Sequence, residues 1–210
     1  MSDSASHPRL QYDVEYPESL SRWMIFVKWL LAIPHYIALA VLGLGVGIVT
    51  IIAFFAILIT GKYPAGMWNF VVGTLRWSAR VQAYVMLERD EYPPFSFDGD
   101  YPVQFSLEYP THLNRWLVLV KWLLVIPHII VLYFLQLIAQ IISLIAFFAI
   151  LFTAKYPRGL FDFMVGYARW NNRVSAYTLY LTDDYPPFSF DQSTGYTPDS
   201  STGPTAVSYR

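Results

Sequence analysis

The feature that most constrains this chain is an internal duplication. Residues 15–98 align with residues 108–191 at a constant offset and without a gap, and 48 of the 84 aligned positions are identical. Such self-similarity indicates that the two segments adopt the same fold. We therefore describe the chain as repeat 1 (residues 15–98) and repeat 2 (residues 108–191), preceded by an N-terminal segment at residues 1–14.

Each repeat opens with a long apolar stretch, residues 22–60 in the first copy and residues 115–153 in the second. The chain is 55% hydrophobic and only 14% charged, whereas about 25% of the residues of a soluble domain are charged. The first stretch contains only Arg22 and Lys28 as full charges, and the second repeats them. Apolar stretches of this length predict membrane-spanning helices.

Each stretch is about twice as long as one crossing requires, because 39 residues of helix would extend for roughly 58 Å. Two arrangements remain open. In one, a helical hairpin crosses twice and turns near residues 43–47 and near residues 136–140. In the other, Pro34 and its counterpart Pro127 kink one long helix, so that the part before the proline lies in the interface and only the remainder crosses. We favour the hairpin, since it places the basic residues of both repeats on one side of the membrane.

The next segment, residues 66–87, predicts an amphipathic helix that lies in the membrane interface. Arg76 and Arg80 are four residues apart on one of its faces, and Arg169 and Arg173 repeat this spacing. Two arginines would be costly in the middle of the bilayer, whereas an interfacial helix holds them at headgroup level.

Short alternating patterns predict four strands outside the membrane, at residues 10–14, 95–97, 103–107 and 188–190. The Asp98-Gly99 pair predicts a turn, so that residues 99–107 connect the repeats as a β-hairpin segment. Residues 192–210 are rich in Ser, Thr, Gly and Pro and are expected to be disordered.

The residues shared by the two repeats form a string of short motifs. The string contains Arg22-Trp23, Lys28-Trp29-Leu30-Leu31, Ile33-Pro34-His35, Lys62-Tyr63-Pro64, Arg76-Trp77 and Tyr92-Pro93-Pro94-Phe95-Ser96-Phe97-Asp98. It resembles the bacterial membrane proteins grouped as domain of unknown function 4389, whose members carry the string once or twice. The resemblance covers about 84 residues of each half. It implies a mainly α-helical membrane fold and a location in the inner (plasma) membrane, and it carries no activity.

The sequence offers no catalytic signature. It contains no Gly-rich phosphate loop, no Gly-x-Ser-x-Gly elbow and no His-Glu-x-x-His spacing. The absence of cysteine excludes thiolate chemistry, and a net charge of -1 gives no reason to expect nucleic-acid binding. The acidic pairs at residues 90–91 and 183–184 are interpreted as solvated turn residues. We therefore predict that the protein is not an enzyme and has no cofactor.

Basic residues near the membrane are candidates for binding lipid headgroups, because guanidinium groups pair with phosphate. The candidates are Lys62, Arg76, Arg80, Lys155, Arg158, Arg169 and Arg173. Simple anchoring by positive charge and internal pairing with Asp90, Asp183 or Asp184 are the alternatives.

His35 and His128 follow prolines inside the apolar stretches. If the repeats face each other about a pseudo-twofold axis, the two imidazoles would ligate a haem or another metal from opposite sides. The alternative is that each imidazole bonds a backbone carbonyl freed by the proline kink.

The leading functional hypothesis is a non-catalytic membrane module that scaffolds a partner or organises lipid. A small transporter or channel subunit is the alternative, and a haem-binding redox subunit through the two histidines is a third. The expected partners are membrane lipids and, beyond them, a membrane protein or a second copy of the chain. We expect a multi-pass protein whose termini and Asp98-Gly99 loop are cytoplasmic.

Overall fold

The computed structural model describes residues 10–191, so residues 1–9 and the predicted disordered tail at residues 192–210 lie outside the described part. The order of one strand followed by three helices occurs twice, which confirms the mainly helical, duplicated fold. The elements are β1 (Gln11–Val14), α1 (Met24–Leu31), α2 (Ile33–Thr60), α3 (Ala65–Val85), β2 (Val103–Ser106), α4 (Leu117–Leu124), α5 (Ile126–Thr153) and α6 (Arg158–Thr178).

α1 and α2 together form one long kinked helix. Ala32 separates them but keeps right-handed helical angles, and its N–H donates to the carbonyl oxygen of Lys28 at 2.9 Å. Pro34 accounts for the kink, because its ring lacks an N–H and crowds the preceding turn. α4 and α5 are joined in the same way around Val125 and Pro127. Of the two predicted arrangements, the structure shows the long kinked helix, and the part of it that crosses a membrane stays a prediction.

The helical hairpin that we favoured within each apolar stretch is wrong. α2 continues without a break through residues 43–47, and α5 continues through residues 136–140. A helical glycine costs only about 1 kcal/mol relative to alanine. Opening a turn in an apolar surrounding would cost more, because the freed backbone groups would find no water. The first turn in each repeat of the described chain comes after the apolar helix has ended, at Thr60 and at Thr153.

The turn after α2 depends on a left-handed residue. Gly61 ends the helix with a φ of 72°, a conformation that favours glycine. A Cβ on Gly61 would lie 2.5 Å from the ring of His112. The equivalent turn in repeat 2 has Ala154 with a φ of 57°, and the residue equivalent to His112 is Ser19. The smaller neighbour explains why this second turn accepts a side chain.

α3 returns along α2, and these two helices form an antiparallel pair. The sequence predicted such a pair within residues 22–60. Phe70 of α3 lies close to Gly45, and Trp77 bonds His35 near the start of α2. The predicted helix at residues 66–87 is therefore present. Most of it is buried inside the protein, and α6 repeats the arrangement against α5.

Within residues 10–191, only two of the four predicted strands form a ladder. β1 and β2 are antiparallel, and Tyr12 pairs with Phe105. Residues 95–97 and 188–190 are not strands, and the Asp98-Gly99 pair does not join two strands. The alternating phenylalanines there have another cause, since Phe95 stacks on a histidine whereas Phe97 packs against a glycine.

The sheet register defines a pseudo-twofold relation between the repeats. Tyr12 and Phe105 pair with each other and are also equivalent positions in the duplicated sequence. β1 leads into repeat 1 but packs on α6, whereas β2 leads into repeat 2 and packs on α3. Each strand therefore completes the helical layer of the other repeat.

Backbone hydrogen bonds also connect the two repeats at the ends of the long helices. The N–H of Leu20 donates to the carbonyl oxygen of Ala154 at 2.8 Å, and that of Leu113 donates to Gly61 at 2.8 Å. The start of each repeat is thus fixed to the last turn of the long helix in the other. The two repeats form one interlocked domain.

The outer faces of the long helices carry an uncovered apolar surface. The segments Met24–Thr60 and Leu117–Thr153 each contain 37 residues and are long and apolar enough to cross a membrane. Only 11% and 22% of their most apolar windows are buried, whereas the core helix of a soluble protein would be mostly buried. Exposed residues of α2 include Ile37, Val41, Leu44, Ile48, Ile51, Phe55 and Ile59.

Candidate functional site

Arg76 of α3 holds strand β2. Its Nε donates to the carbonyl oxygen of Phe105 at 3.1 Å, and its Nη1 donates to the carbonyl of Phe97 at 3.2 Å. The same Nη1 lies 2.6 Å from a carboxylate oxygen of Asp98. The guanidinium group of Arg76 is therefore occupied by the strand and by the segment that follows α3.

Arg169 of α6 holds strand β1 in the equivalent way. Its Nε donates to the carbonyl oxygen of Tyr12 at 2.9 Å, and its Nη2 lies 2.7 Å from Asp13. Because Tyr12 and Phe105 are equivalent positions, the two arginines make the same contact in the two repeats. Each arginine binds the strand that leads into the other repeat.

Arg80 is buried under the chain segment that follows α3, where its Nη2 donates to the carbonyl oxygen of Gly99 at 2.9 Å. Burial lowers the pKa of the Arg80 guanidinium from its ordinary value, and the charge of Arg76 lowers it further. An arginine nevertheless stays charged in a protein, so backbone carbonyls replace its water. Arg173 is buried in the same way under the carbonyls of Ser189 and Asp191.

These contacts occupy four of the residues that were predicted to bind lipid headgroups. Each of the four arginines donates to protein oxygens. The acidic partners of Arg76 and Arg169 are Asp98 and Asp13 rather than the residues considered from the sequence. As lipid ligands the four arginines stay a prediction that no contact supports. The other three candidates, Lys62, Lys155 and Arg158, are exposed.

The exposed cations gather where the two repeats exchange backbone hydrogen bonds. The first basic corner, defined by Arg22, Lys155 and Arg158, lies at the bond between Leu20 and Ala154. Arg158 is partly engaged, because its guanidinium lies 4.4 Å from the ring centroid of Tyr16 and 3.4 Å from Asp162.

The second basic corner, defined by Lys62, His112 and Arg115, is its counterpart at the end of α2. Arg115 Nε would lie 3.3 Å from a Cβ on Gly61, so its side chain covers the last turn of α2. Each corner adjoins an exposed tryptophan, since Trp23 is 81% and Trp116 76% exposed. The sequence alone pointed to the lysines, but the hydrogen bonds between the repeats are needed to place Arg22 and Arg115 beside them.

His35 is fully buried in an aromatic enclosure. Trp77 Nε1–H donates to its Nδ1 at 3.1 Å, Phe95 stacks on it with ring centroids 4.0 Å apart, and Tyr92 lies at 4.8 Å. Repeat 2 forms the same enclosure around His128 with Trp170, Phe188 and Tyr185. Each histidine is thus surrounded by rings of its own repeat.

The hydrogen bond from tryptophan decides the tautomer of each histidine. An Nδ1 that accepts a bond leaves the proton of the neutral ring on Nε2, and Nε2 has no partner among the described residues. The one lone pair that a metal would need is therefore occupied. No group of three or more metal-binding side chains occurs within residues 10–191. A haem or metal site at His35 and His128 stays a prediction without a supporting contact.

Lys28 and Lys121 are buried ionic residues that sequence reasoning missed. Lys28 is 1% exposed, its Nζ lies 2.7 Å from Asp90, and it also donates to the carbonyl oxygen of Arg89 at 2.7 Å. Lys121 and Asp183 repeat the ion pair at 2.7 Å. The two aspartates are therefore ion-pair partners rather than merely solvated turn residues. The recurrence of Lys and Asp at the same spacing in both repeats was the available signal.

Comparisons with known proteins bear on the family and not on the activity. Neither the curated proteins nor the solved structures include a match to this chain. A family profile described as a domain of unknown function (DUF4389) matches twice, over residues 22–96 and residues 115–189. Both matches lie within the two repeats and together cover more than half of the chain. The protein therefore belongs to the family of domain of unknown function 4389, of which it carries two tandem copies.

Proposed function

We propose that the protein is a non-catalytic membrane module that gathers anionic lipid headgroups at its two basic corners. The observation that carries the proposal is the position of exposed cations at the ends of two exposed apolar helices. Acyl chains would cover the outer faces of those helices, and phosphate groups would meet the cations. A scaffold for a partner or a second copy would use the same surface.

The side chains at the corners suit the boundary between lipid and water. Trp23 and Trp116 are the most exposed of the large apolar side chains, and tryptophan is enriched at this depth of a membrane. Arg22 and Arg115 precede them directly in the chain. A guanidinium group at this depth is suited to bind a phosphate group through two parallel hydrogen bonds. General attraction between positive charge and anionic lipid does not require this geometry.

Two of the polar groups in the long helices do not favour a transporter or channel. Gln136 accepts a hydrogen bond from the hydroxyl of Tyr167, and the hydroxyl of Thr50 donates to the carbonyl oxygen of Val46. Both groups are engaged within the protein and neither is left for a solute. A lipid-organising module uses the outer surface instead and needs no polar path.

The lipid proposal is tested with protein reconstituted into vesicles of phosphatidylcholine with and without phosphatidylglycerol. Bound lipid is measured by mass spectrometry after delipidation in mild detergent. A variant with Gln at the five cationic residues of the corners should retain several-fold less phosphatidylglycerol than wild type and should still insert. The substituted residues are Arg22, Lys62, Arg115, Lys155 and Arg158.

A control replaces Arg76 and Arg169 by Gln, which removes two positive charges from internal contacts. It is compared with a corner variant that carries only Arg22→Gln and Arg115→Gln, which removes two charges from the corners. This control should retain phosphatidylglycerol at the wild-type level. An equal loss in both variants would indicate general charge attraction, and unchanged retention in the corner variant would contradict the proposal.

The strand pairing also supports a specific topology. Because β1 and β2 are hydrogen-bonded neighbours, the segment before repeat 1 and the segment before repeat 2 lie together. We expect reporter fusions at the N-terminus and at Gly99 to be on the same side of the membrane, the cytoplasmic side. Fusions on opposite sides would contradict this topology.

A further inference from the structure

One buried carboxyl group breaks the symmetry of the repeats. Glu88 follows α3 and is 2% exposed. Its Oε2 has no hydrogen-bond partner among the residues described. Burial of an ionised carboxylate is unfavourable unless its oxygens are well paired, so the group is either neutral or held at a cost to stability.

The fold itself does not require this carboxyl group. Leu181 occupies the equivalent position in repeat 2 and is fully buried. The backbone is the same at both places, since Glu88 N–H donates to Ala83 and Leu181 N–H donates to Ala176, each at 2.9 Å. A buried acid where the same backbone accepts leucine is a candidate functional group.

Glu88 lies where three elements meet at the contact between the repeats. Burial raises the pKa of Tyr12 in β1 and of Tyr156 before α6, and the nearby charge of Glu88 raises both further. The ammonium group of Lys28 in α1 also acts on the carboxyl group. The hydroxyl of Tyr156 is buried and has no partner within residues 10–191.

We propose that Glu88 is a proton-binding site at the contact between the two repeats, occupied at neutral pH and emptied in mildly alkaline solution. The neutral acid brings one O–H donor to a place that also holds the phenol oxygen of Tyr156. Release of the proton to solvent leaves a carboxylate, and the ammonium group that acts on it, Lys28, is already paired with Asp90. Proton binding at Glu88 does not require lipid at the basic corners.

The raised pKa of Glu88 determines how the stability of the folded protein depends on pH. Burial raises the pKa of Glu88 to about 8, and Lys28 opposes this by a smaller amount. An unfolded glutamate has a pKa of about 4.3. Between these values the folded protein holds one proton more than the unfolded chain, so its stability falls as pH rises and levels off above the folded pKa. A salt-bridged carboxylate would show the opposite trend.

The direct test is infrared difference spectroscopy of the purified full chain between pH 6 and pH 9. The C=O band of a protonated carboxylic acid should be present at neutral pH and should disappear as pH rises through about 8. Glu88→Gln should lack this titrating band. Tyr156→Phe should keep the band but shift its midpoint, because a buried hydroxyl group that interacts with the Glu88 charge is removed. A titrating band that survives in Glu88→Gln would overturn the proposal.

Thermal unfolding gives a second measurement that does not depend on band assignment. Glu88→Leu copies the residue found in repeat 2, so it should fold, and its melting temperature should exceed that of wild type by a margin that widens from pH 5 to pH 9. Glu88→Gln serves if the leucine variant is poorly expressed and should show the same widening against wild type. A constant difference across this range would show that Glu88 does not bind a proton in the folded protein.

Discussion

The two repeats share an ion pair inside the protein but differ in residue size at individual positions of their outer faces. The ion pair of Lys28 with Asp90 recurs in repeat 2 at the same distance of 2.7 Å. By contrast, Ala40 on α2 corresponds to Tyr133 on α5, which is exposed. The comparison indicates that the ion pair requires these two residue types, whereas this outer position accepts apolar side chains of different size.

The largest effect should come from breaking the buried ion pair in one repeat. Lys28→Met leaves Asp90 without its cation and should destabilise the protein by about 3 kcal/mol. Lys121→Met should lower the free energy of unfolding by a similar amount if the two ion pairs are equivalent. Thermal unfolding in detergent measures both. The double variant Lys28→Met with Asp90→Asn should recover most of the loss, and a failure to recover would show that the ion pair is not the cause.

A smaller effect is expected where a phenylalanine packs on a helical glycine. A Cβ on Gly73 would lie 2.7 Å from Phe97, and one on Gly166 would lie 2.6 Å from Phe190. Gly73→Ala and Gly166→Ala should each cost about 1–3 kcal/mol of unfolding free energy through overpacking. Gly66→Ala is the matched control, because nothing lies within 4 Å of its added methyl group. It should be neutral or stabilising by up to about 1 kcal/mol.

The smallest effect should appear at the turns, where the repeats differ. Gly61→Ala should destabilise by about 1 kcal/mol, because a left-handed residue gains a side chain next to His112. Adding His112→Ser should restore part of the loss by copying the arrangement of repeat 2. Unfolding of the single and double variants would show this difference. Equal stability of the two variants would mean that backbone strain, and not the ring of His112, disfavours alanine.

Parts of this fold follow from local patterns in the sequence. The long apolar helices and the amphipathic helix each depend on residues close in the chain, and the duplication is visible from aligning the two halves. All three are present. The prediction of a strand at residues 95–97 was wrong, because apolar residues also alternate where neighbouring side chains pack against different partners. Phe95 and Phe97 point to different partners, His35 and Gly73, and neither residue belongs to a ladder.

The contacts between the repeats were beyond such reasoning. Arg76 meets the carbonyl of Phe105 only because the strands are exchanged, and no local pattern indicates that exchange. The preference for a hairpin failed for a related reason. It assumed that the return path lies within the apolar stretch, whereas α3 returns with its arginines covered by protein. The buried lysines and Glu88 likewise depend on neighbours that are distant in the sequence.

The exchanged strands have a consequence for a chain that carries only one copy of the module. In such a chain the arginine equivalent to Arg76 has no strand from a second repeat to bind. The carbonyl group at the end of its long helix likewise has no second repeat from which to accept a hydrogen bond. Two such molecules related by a twofold axis would supply both. The present protein has the geometry of a homodimer whose subunits have been joined head to tail in one polypeptide.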